Sequence, residues 1–214
     1  MIRYLFLVVL AHSAFAHITI STKITWAKEI SRIVHHRCLS CHRGNGEAFS
    51  LDSYEKARPW AKAMQEEVLN RRMPPWGAVK GFGEFAHDQG LTQEEVNLIA
   101  EWVEGGAPEG DPNLVPPAPR RFPAPPTPQG KPAAAPPVFS KAVSITAIQT
   151  DAATQVTAEF PNGEVVPLLW TLAPAEKART FVLLSPLTVP RGTKIHSTAP
   201  VTLWTTKPSR SRKK

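Results

Sequence analysis

Along the first half of the chain the apolar positions recur with the period of a helix. Ala27, Ile30, Ile33 and Val34 fall on one face of the segment from Thr25 to Arg37, the spacing that buries one side of a helix. Asp52-Ser53-Tyr54-Glu55 sets a capping oxygen, that of Asp52, three residues before the Glu55 carboxylate, which predicts a helical start. Pro59 then interrupts, and proline is tolerated only in a first turn, where its missing N–H is harmless. The pattern therefore predicts a short helix over 53–58 and a longer one from Pro59 to about Arg71. Thr92-Gln93-Glu94-Glu95 reads as a capping box, followed by Val96, Ile99, Ala100 and Val103 at helical spacing and by Gly105-Gly106 as a stop. Residues 17–111 are expected to form an all-α domain. From Val138 the period falls to two: Val143, Ile145 and Ala147 alternate, as do Val156, Ala158 and Phe160, and Pro161-Asn162-Gly163 turns the chain into Val165 to Trp170. With Thr180 to Ser185, Thr193 to Ser197 and Val201 to Thr205, about six short strands are expected over 138–206, a small all-β domain of partial-sandwich type.

Composition adds a boundary between these parts. The chain has 214 residues, 42% apolar and 20% charged, enough to bury a core. Of its 22 prolines, 11 lie between Pro112 and Pro137, so residues 112–137 are expected to be an extended, Pro/Ala-rich linker of polyproline character. At the start, Arg3 precedes the apolar run Tyr4 to Ala11, and Ala14-Phe15-Ala16 supplies small residues. Residues 1–16 thus read as a signal peptide cleaved after Ala16, too short to cross a bilayer. Export to the periplasm follows, with no transmembrane span in the mature chain. The net charge of +7 is uneven: residues 17–110 hold 11 basic against 13 acidic side chains, 111–206 hold 8 against 5, and the tail 207–214 holds 5 against none. The basic excess sits largely in a short tail and makes no basic face on a folded unit, which argues against a nucleic-acid partner.

Chemistry concentrates in one place. The only two cysteines are Cys38 and Cys41, followed at once by His42, a C-x-x-C-H haem-attachment motif. Two cysteines placed at random in this length fall three apart about once in a hundred arrangements, and a histidine at the next position brings coincidence to roughly one in three thousand. Two thiols one helical turn apart can hold the two vinyl groups of one haem, leaving His42 as the proximal iron ligand. A disulfide or redox pair would be expected within a βαβ pattern, which the surrounding residues lack, and a zinc site lacks further ligands at suitable spacing. Candidates for the sixth ligand are Met64, Met73, His87, His35 and His36. Met73 stands in Arg71-Arg72-Met73-Pro74-Pro75-Trp76, where Pro74 forces it out of helical geometry onto a stiff loop from which its thioether can project. Met64 falls on the apolar side of its helix with Trp60 and Val68 and is expected in the core. His87 lies in a glycine-rich loop, and His35 and His36 stand too near the attachment site to reach the opposite face.

The run from Ile30 to Gly110 resembles a small class I-like monohaem cytochrome c, and more narrowly the exported haem domains of soil bacteria. The resemblance rests on Cys38 to His42, Tyr54 to Trp60, Met73 to Trp76 and Leu91 to Val103 in that order. It implies a covalent haem c on Cys38 and Cys41, His42 and Met73 as axial ligands, Trp60 and Trp76 as aromatic walls, and Arg72 or Arg71 as a propionate donor. Phe160 to Glu164 and Leu187 to Ile195 resemble late strands of the copper type II, ascorbate-dependent monooxygenase sandwich. That chemistry needs several histidines and a methionine, whereas residues 138–206 contain His196 alone and no methionine or cysteine. A module without copper chemistry is expected there. The function expected for the whole is one-electron transfer with a redox partner protein, not enzymatic turnover. Two alternatives stand beside it: a peroxidase-like haem enzyme or sensor with an open or displaceable sixth position, and a binding or scaffold subunit of a redox complex.

Overall fold

A computed structural model describes residues 22–44, 46 and 48–208; the expected signal peptide and the end of the basic tail lie outside them. The first helical stretch is a π-helical segment, Trp26–Ile30, running directly into α1, Ser31–Arg37. Thr25 caps it, its hydroxyl accepting from the Lys28 amide. α2 spans Tyr54–Ala57, capped by Ser53, and a 3-10 turn at Arg58–Trp60 with Pro59 in its first turn leads into α3, Ala61–Leu69. α4 spans Gln93–Glu104 and carries both halves of the capping box, Thr92 Oγ1 accepting from the Glu95 amide and Glu95 from the Thr92 amide. These elements share one core, in which Trp26 and Trp102 lie 6.1 Å apart and Ile30, Val34, Met64, Val68 and Ile99 fill the rest. The Trp102 indole donates to the Pro108 carbonyl and the Tyr54 hydroxyl to the Ala107 carbonyl, fixing the exit of α4.

Seven strands follow: β1 Lys131–Ala134, β2 Val143–Thr150, β3 Thr154–Glu159, β4 Val165–Thr171, β5 Arg179–Val189, β6 Lys194–Ser197 and β7 Thr202–Thr206. They form two antiparallel sheets of order β1-β7-β2-β5 and β4-β3-β6. Ile145, Ile148, Val156, Leu169, Phe181 and Leu203 from both sheets meet in a second core. Alternation explains this: along β3 the buried positions are Thr154, Val156 and Ala158, every second residue.

The expectation of an all-α cytochrome-like domain is overturned. Among the described residues 23% are helical and 26% are in strands, and the helices are short. Residues 70–92 contain no helix. Pro74 and Pro75 remove donors, and Gly77, Gly81, Gly83 and Gly90 weaken any helical nucleus there. This segment is laced onto the sheets instead. Ala78 bridges Thr171 on β4 and Phe85 bridges Leu183 on β5, and the Val79 amide donates to the Trp170 carbonyl at 2.8 Å. Farther along, the Ala86 amide donates to Val182 and the Leu184 amide to Glu84, each at 2.9 Å. Phe85 belongs to the β core and Trp76 and Ala78 pack against it, so the helical and β parts interlock, and the outer edges of β4 and β5 are covered. Gly83, at φ +84°, is required there because a Cβ would run into the Leu168 carbonyl.

The proline-rich segment is likewise held at both ends and is no free spacer. Pro112–Leu114 forms a 3-10 turn, Phe122 packs on the helical core under the Arg43 guanidinium at 4.8 Å, and β1 pairs with β7. Among the described residues, no helix is long and apolar enough to cross a membrane.

Candidate functional site

Cys38 caps the C-terminal end of α1, where the helix gives way to a turn. The Cys41 and His42 amides both donate back to the Cys38 carbonyl, at 3.1 and 2.9 Å. The motif is therefore a closed backbone turn with a thiol at either end. Gly46 shapes the next bend: its amide donates to the Arg43 carbonyl, and a Cβ at this position would collide with the Cys41 carbonyl oxygen. Both cysteines are free thiols and partly buried. Burial, reinforced by the nearby Glu95 carboxylate, pushes the Cys38 thiol up to about 12. A thiol that stays protonated at neutral pH is a poor attacking thiolate, so Cys38 is held as a weak nucleophile.

The imidazole of His42 is oriented by one contact. Nδ1 lies 2.9 Å from the Phe49 carbonyl oxygen; since a carbonyl only accepts, Nδ1 carries the proton and Nε2 is the basic nitrogen. Nε2 has no hydrogen-bond partner among the described residues. A histidine held through Nδ1–H by a backbone carbonyl, with Nε2 bare, has the arrangement of a metal-ligating imidazole. Phe49 meets the His42 ring edge-on at 4.8 Å and stacks on Trp60 at 4.1 Å. Despite these contacts Phe49 is 46% and Trp60 43% exposed, an apolar surface beside the bare nitrogen that a flat macrocycle could cover. The donor set therefore fits a covalently held haem: two thiols, one pre-oriented imidazole and an open aromatic wall. Phe49 escaped the sequence pattern, because an aromatic in a glycine-rich loop carries no periodic signal.

The other candidates are distributed. Met64 is buried in the helical core. Met73 lies beyond the end of α3 on a non-helical loop, 39% exposed, at the wall of a cavity of about 810 Å³ that Arg71, Leu91, Gln93, Leu172 and Arg179 also line. The partly buried Trp76 ring packs against the β core, edge-on to Phe85 at 5.8 Å and to Phe181 at 5.1 Å, and also lines the Met73 cavity. Arg72 is bound by the Glu66 and Glu67 carboxylates at 3.1 and 2.8 Å, which already satisfy the cation. Arg71 donates to the Leu91 carbonyl and to Gln93. His87 contacts Gln89 and lines a second cavity of about 370 Å³ together with His35 and His36. His196 pairs with Glu159 at 2.9 Å on the exposed face of β6. Among the described residues no three or more His, Cys, Asp or Glu gather as a cluster for a metal ion.

No protein-family model, curated protein or solved structure matches the chain.

Proposed function

We propose that the chain is an exported, periplasmic c-type monohaem protein that carries single electrons between partner proteins. The observation that carries this reading is the His42 imidazole, next in sequence to Cys41, fixed through Nδ1–H to the Phe49 carbonyl and with Nε2 unpartnered among the described residues. Cys38 and Cys41 would hold the group covalently, His42 would be the proximal ligand, and Met73 would be the sixth. When bound, a haem supplies a one-electron couple whose potential His/Met ligation raises relative to two histidines. The chain contributes the rest. The turn at Cys38–His42 is closed by the Cys41 and His42 amides, the Phe49 carbonyl fixes the tautomer of His42, and the exposed Phe49–Trp60 stack would cover one edge of the group.

One observation favours a second reading. Met73 is 39% exposed, and a thioether within reach of solvent is more easily displaced than a buried one, as a haem sensor or enzyme requires. The ferrous protein under carbon monoxide separates the two. A carrier resists the ligand at neutral pH and shows a sulfur-to-iron band in the near infrared when oxidised; Met73→Ala abolishes the band and opens the iron, while Met64→Leu does neither. Ready binding by the unaltered protein moves the sensor or enzyme reading ahead.

A further inference from the structure

We propose that the cavity where the helical and β parts meet is a binding site for a small organic carboxylate with an apolar body. The site stands apart from the haem reading, since none of Cys38, Cys41 and His42 lines it. Three stretches of chain wall it: the loop 70–80 after α3, the start of α4, and the connection from β4 to Arg179 at the head of β5. Its volume of about 810 Å³ is within the range that takes up small molecules.

The charge around it is one-sided. Its charged lining residues are Arg71, Arg72, Lys80 and Arg179, and among the described residues no carboxylate lines it. Arg72 is neutralised by Glu66 and Glu67, and Lys80 by Asp88 at 2.8 Å. Arg71 and Arg179 form no ion pair among the described residues. Two guanidinium groups on one cavity without a counter-charge favour an anion.

The backbone holds both groups in place. At the end of α3 the Arg71 and Arg72 amides donate to the Val68 and Glu67 carbonyls, which sets Arg71 at φ +57°, a position glycine fills most often. An arginine there strains the backbone for the sake of its side chain. That side chain donates from Nη1 to the Leu91 carbonyl and from Nη2 to Gln93, and three of its five N–H groups remain for a ligand. Arg179 passes the loop at Gly77, where a Cβ would lie 2.6 Å from Nη1 and where φ is +79°. The loop is bare at the point where the guanidinium needs room.

Much of the remaining wall is apolar, with Trp76 and Leu91 on one side and Leu172, 60% exposed, on another. A small hydrated anion gains little from such surfaces. A carboxylate that carries a ring covers them while its two oxygens take a guanidinium fork.

Equilibrium dialysis of naphthoate against the full chain tests the site, with uncharged naphthamide as the analogue and inorganic phosphate as the competitor. One saturable naphthoate per chain is expected, with naphthamide bound at least about tenfold more weakly and phosphate at equal concentration not displacing it. Arg179→Gln should weaken naphthoate about tenfold or more, and Leu172→Glu, which sets a carboxylate on the exposed wall, should do the same. Arg191→Gln, exposed and outside the cavity, removes the same unit of charge and should match the parent. If Arg179→Gln fails to accumulate, Leu172→Glu decides by the same readout. Absence of saturable binding up to about 10 mM overturns the site. So does equal binding of naphthamide, or an Arg191→Gln loss as large as that of Arg179→Gln. Displacement of naphthoate by equimolar phosphate would show that charge alone is read and would overturn the carboxylate assignment.

Discussion

Replacing His35 by leucine should stabilise the protein, and more so in mild acid. His35 sits on the inner face of α1, 6% exposed, and neither ring nitrogen has a hydrogen-bond partner among the described residues. A buried polar group without a partner costs about 1–3 kcal/mol, whereas fitting a similar-sized apolar side chain into the same space costs less than about 1.5 kcal/mol. The balance is a gain of about 1 kcal/mol near neutral pH. Burial holds the His35 pKa below its ordinary 6.5; the Arg32 cation lowers it further and Asp52 opposes. As pH falls through 6.5 the unfolded chain takes up a proton at His35 and the folded chain does not. The His35 contribution is thus fully present above 6.5 and is lost progressively below it, until the lowered native pKa is reached. The leucine variant lacks this loss. Urea unfolding followed by the fluorescence of buried Trp26 and Trp102, at about pH 7.5 and about pH 5.5, should show the variant ahead at both and further ahead in acid. A variant less stable than the parent by more than about 1 kcal/mol, or a gap that closes as pH falls, would refute the reasoning and require a bonded imidazole.

Three further outcomes follow from the helical part. Thr92→Ala removes the hydroxyl half of the α4 capping box and should cost about 1 kcal/mol in thermal or urea unfolding, with Thr92→Ser close to the parent. Arg37→Met breaks the 3.0 Å pair with Glu95, whose side chains are only 10% and 18% exposed, and also the bond to the Asp88 carbonyl. It should cost about 2 kcal/mol, and a double-mutant cycle with Glu95→Gln should show coupling. His42→Ala should give little mature holoprotein, and an unchanged yield with unchanged Soret and α bands would assign the proximal role elsewhere.

Much of the local structure was legible in the sequence and the assembly was not. Capping chemistry is written in adjacent residues, so Thr92 with Glu95 marked the start of α4, whereas the cap of α2 is Ser53 and not Asp52. Apolar period marked the first helix, alternation marked β2 and β3, and the Pro161-Asn162-Gly163 turn marked β4. The expected helix beyond Pro59 ended early, at Leu69, with Arg71 at φ +57°. The larger failure was the all-α domain. Nothing periodic in residues 77–86 announces that they cover two sheet edges, because their pairing partners lie about 90–100 positions away, and local patterns do not encode such distant contacts. Strand β1 was missed for a related reason: Lys131-Pro132-Ala133-Ala134 has no apolar alternation and is exposed throughout, and only backbone pairing to β7 makes it a strand. Within the candidate site, Cys38, Cys41, His42 and Trp60 were marked by motif, whereas Phe49 emerged only from the fold. Trp76 shows the opposite case, a motif residue whose ring the β core claims.

The central claim is that Cys38 and Cys41 hold a haem. Intact-mass measurement of the protein, produced in a host competent in cytochrome c maturation and extracted with acid–acetone, tests it most directly. The mass of one haem should be retained on the polypeptide and lost in Cys38→Ser with Cys41→Ser. Recovery of the unaltered chain at its bare polypeptide mass, with two titratable thiols, would contradict it.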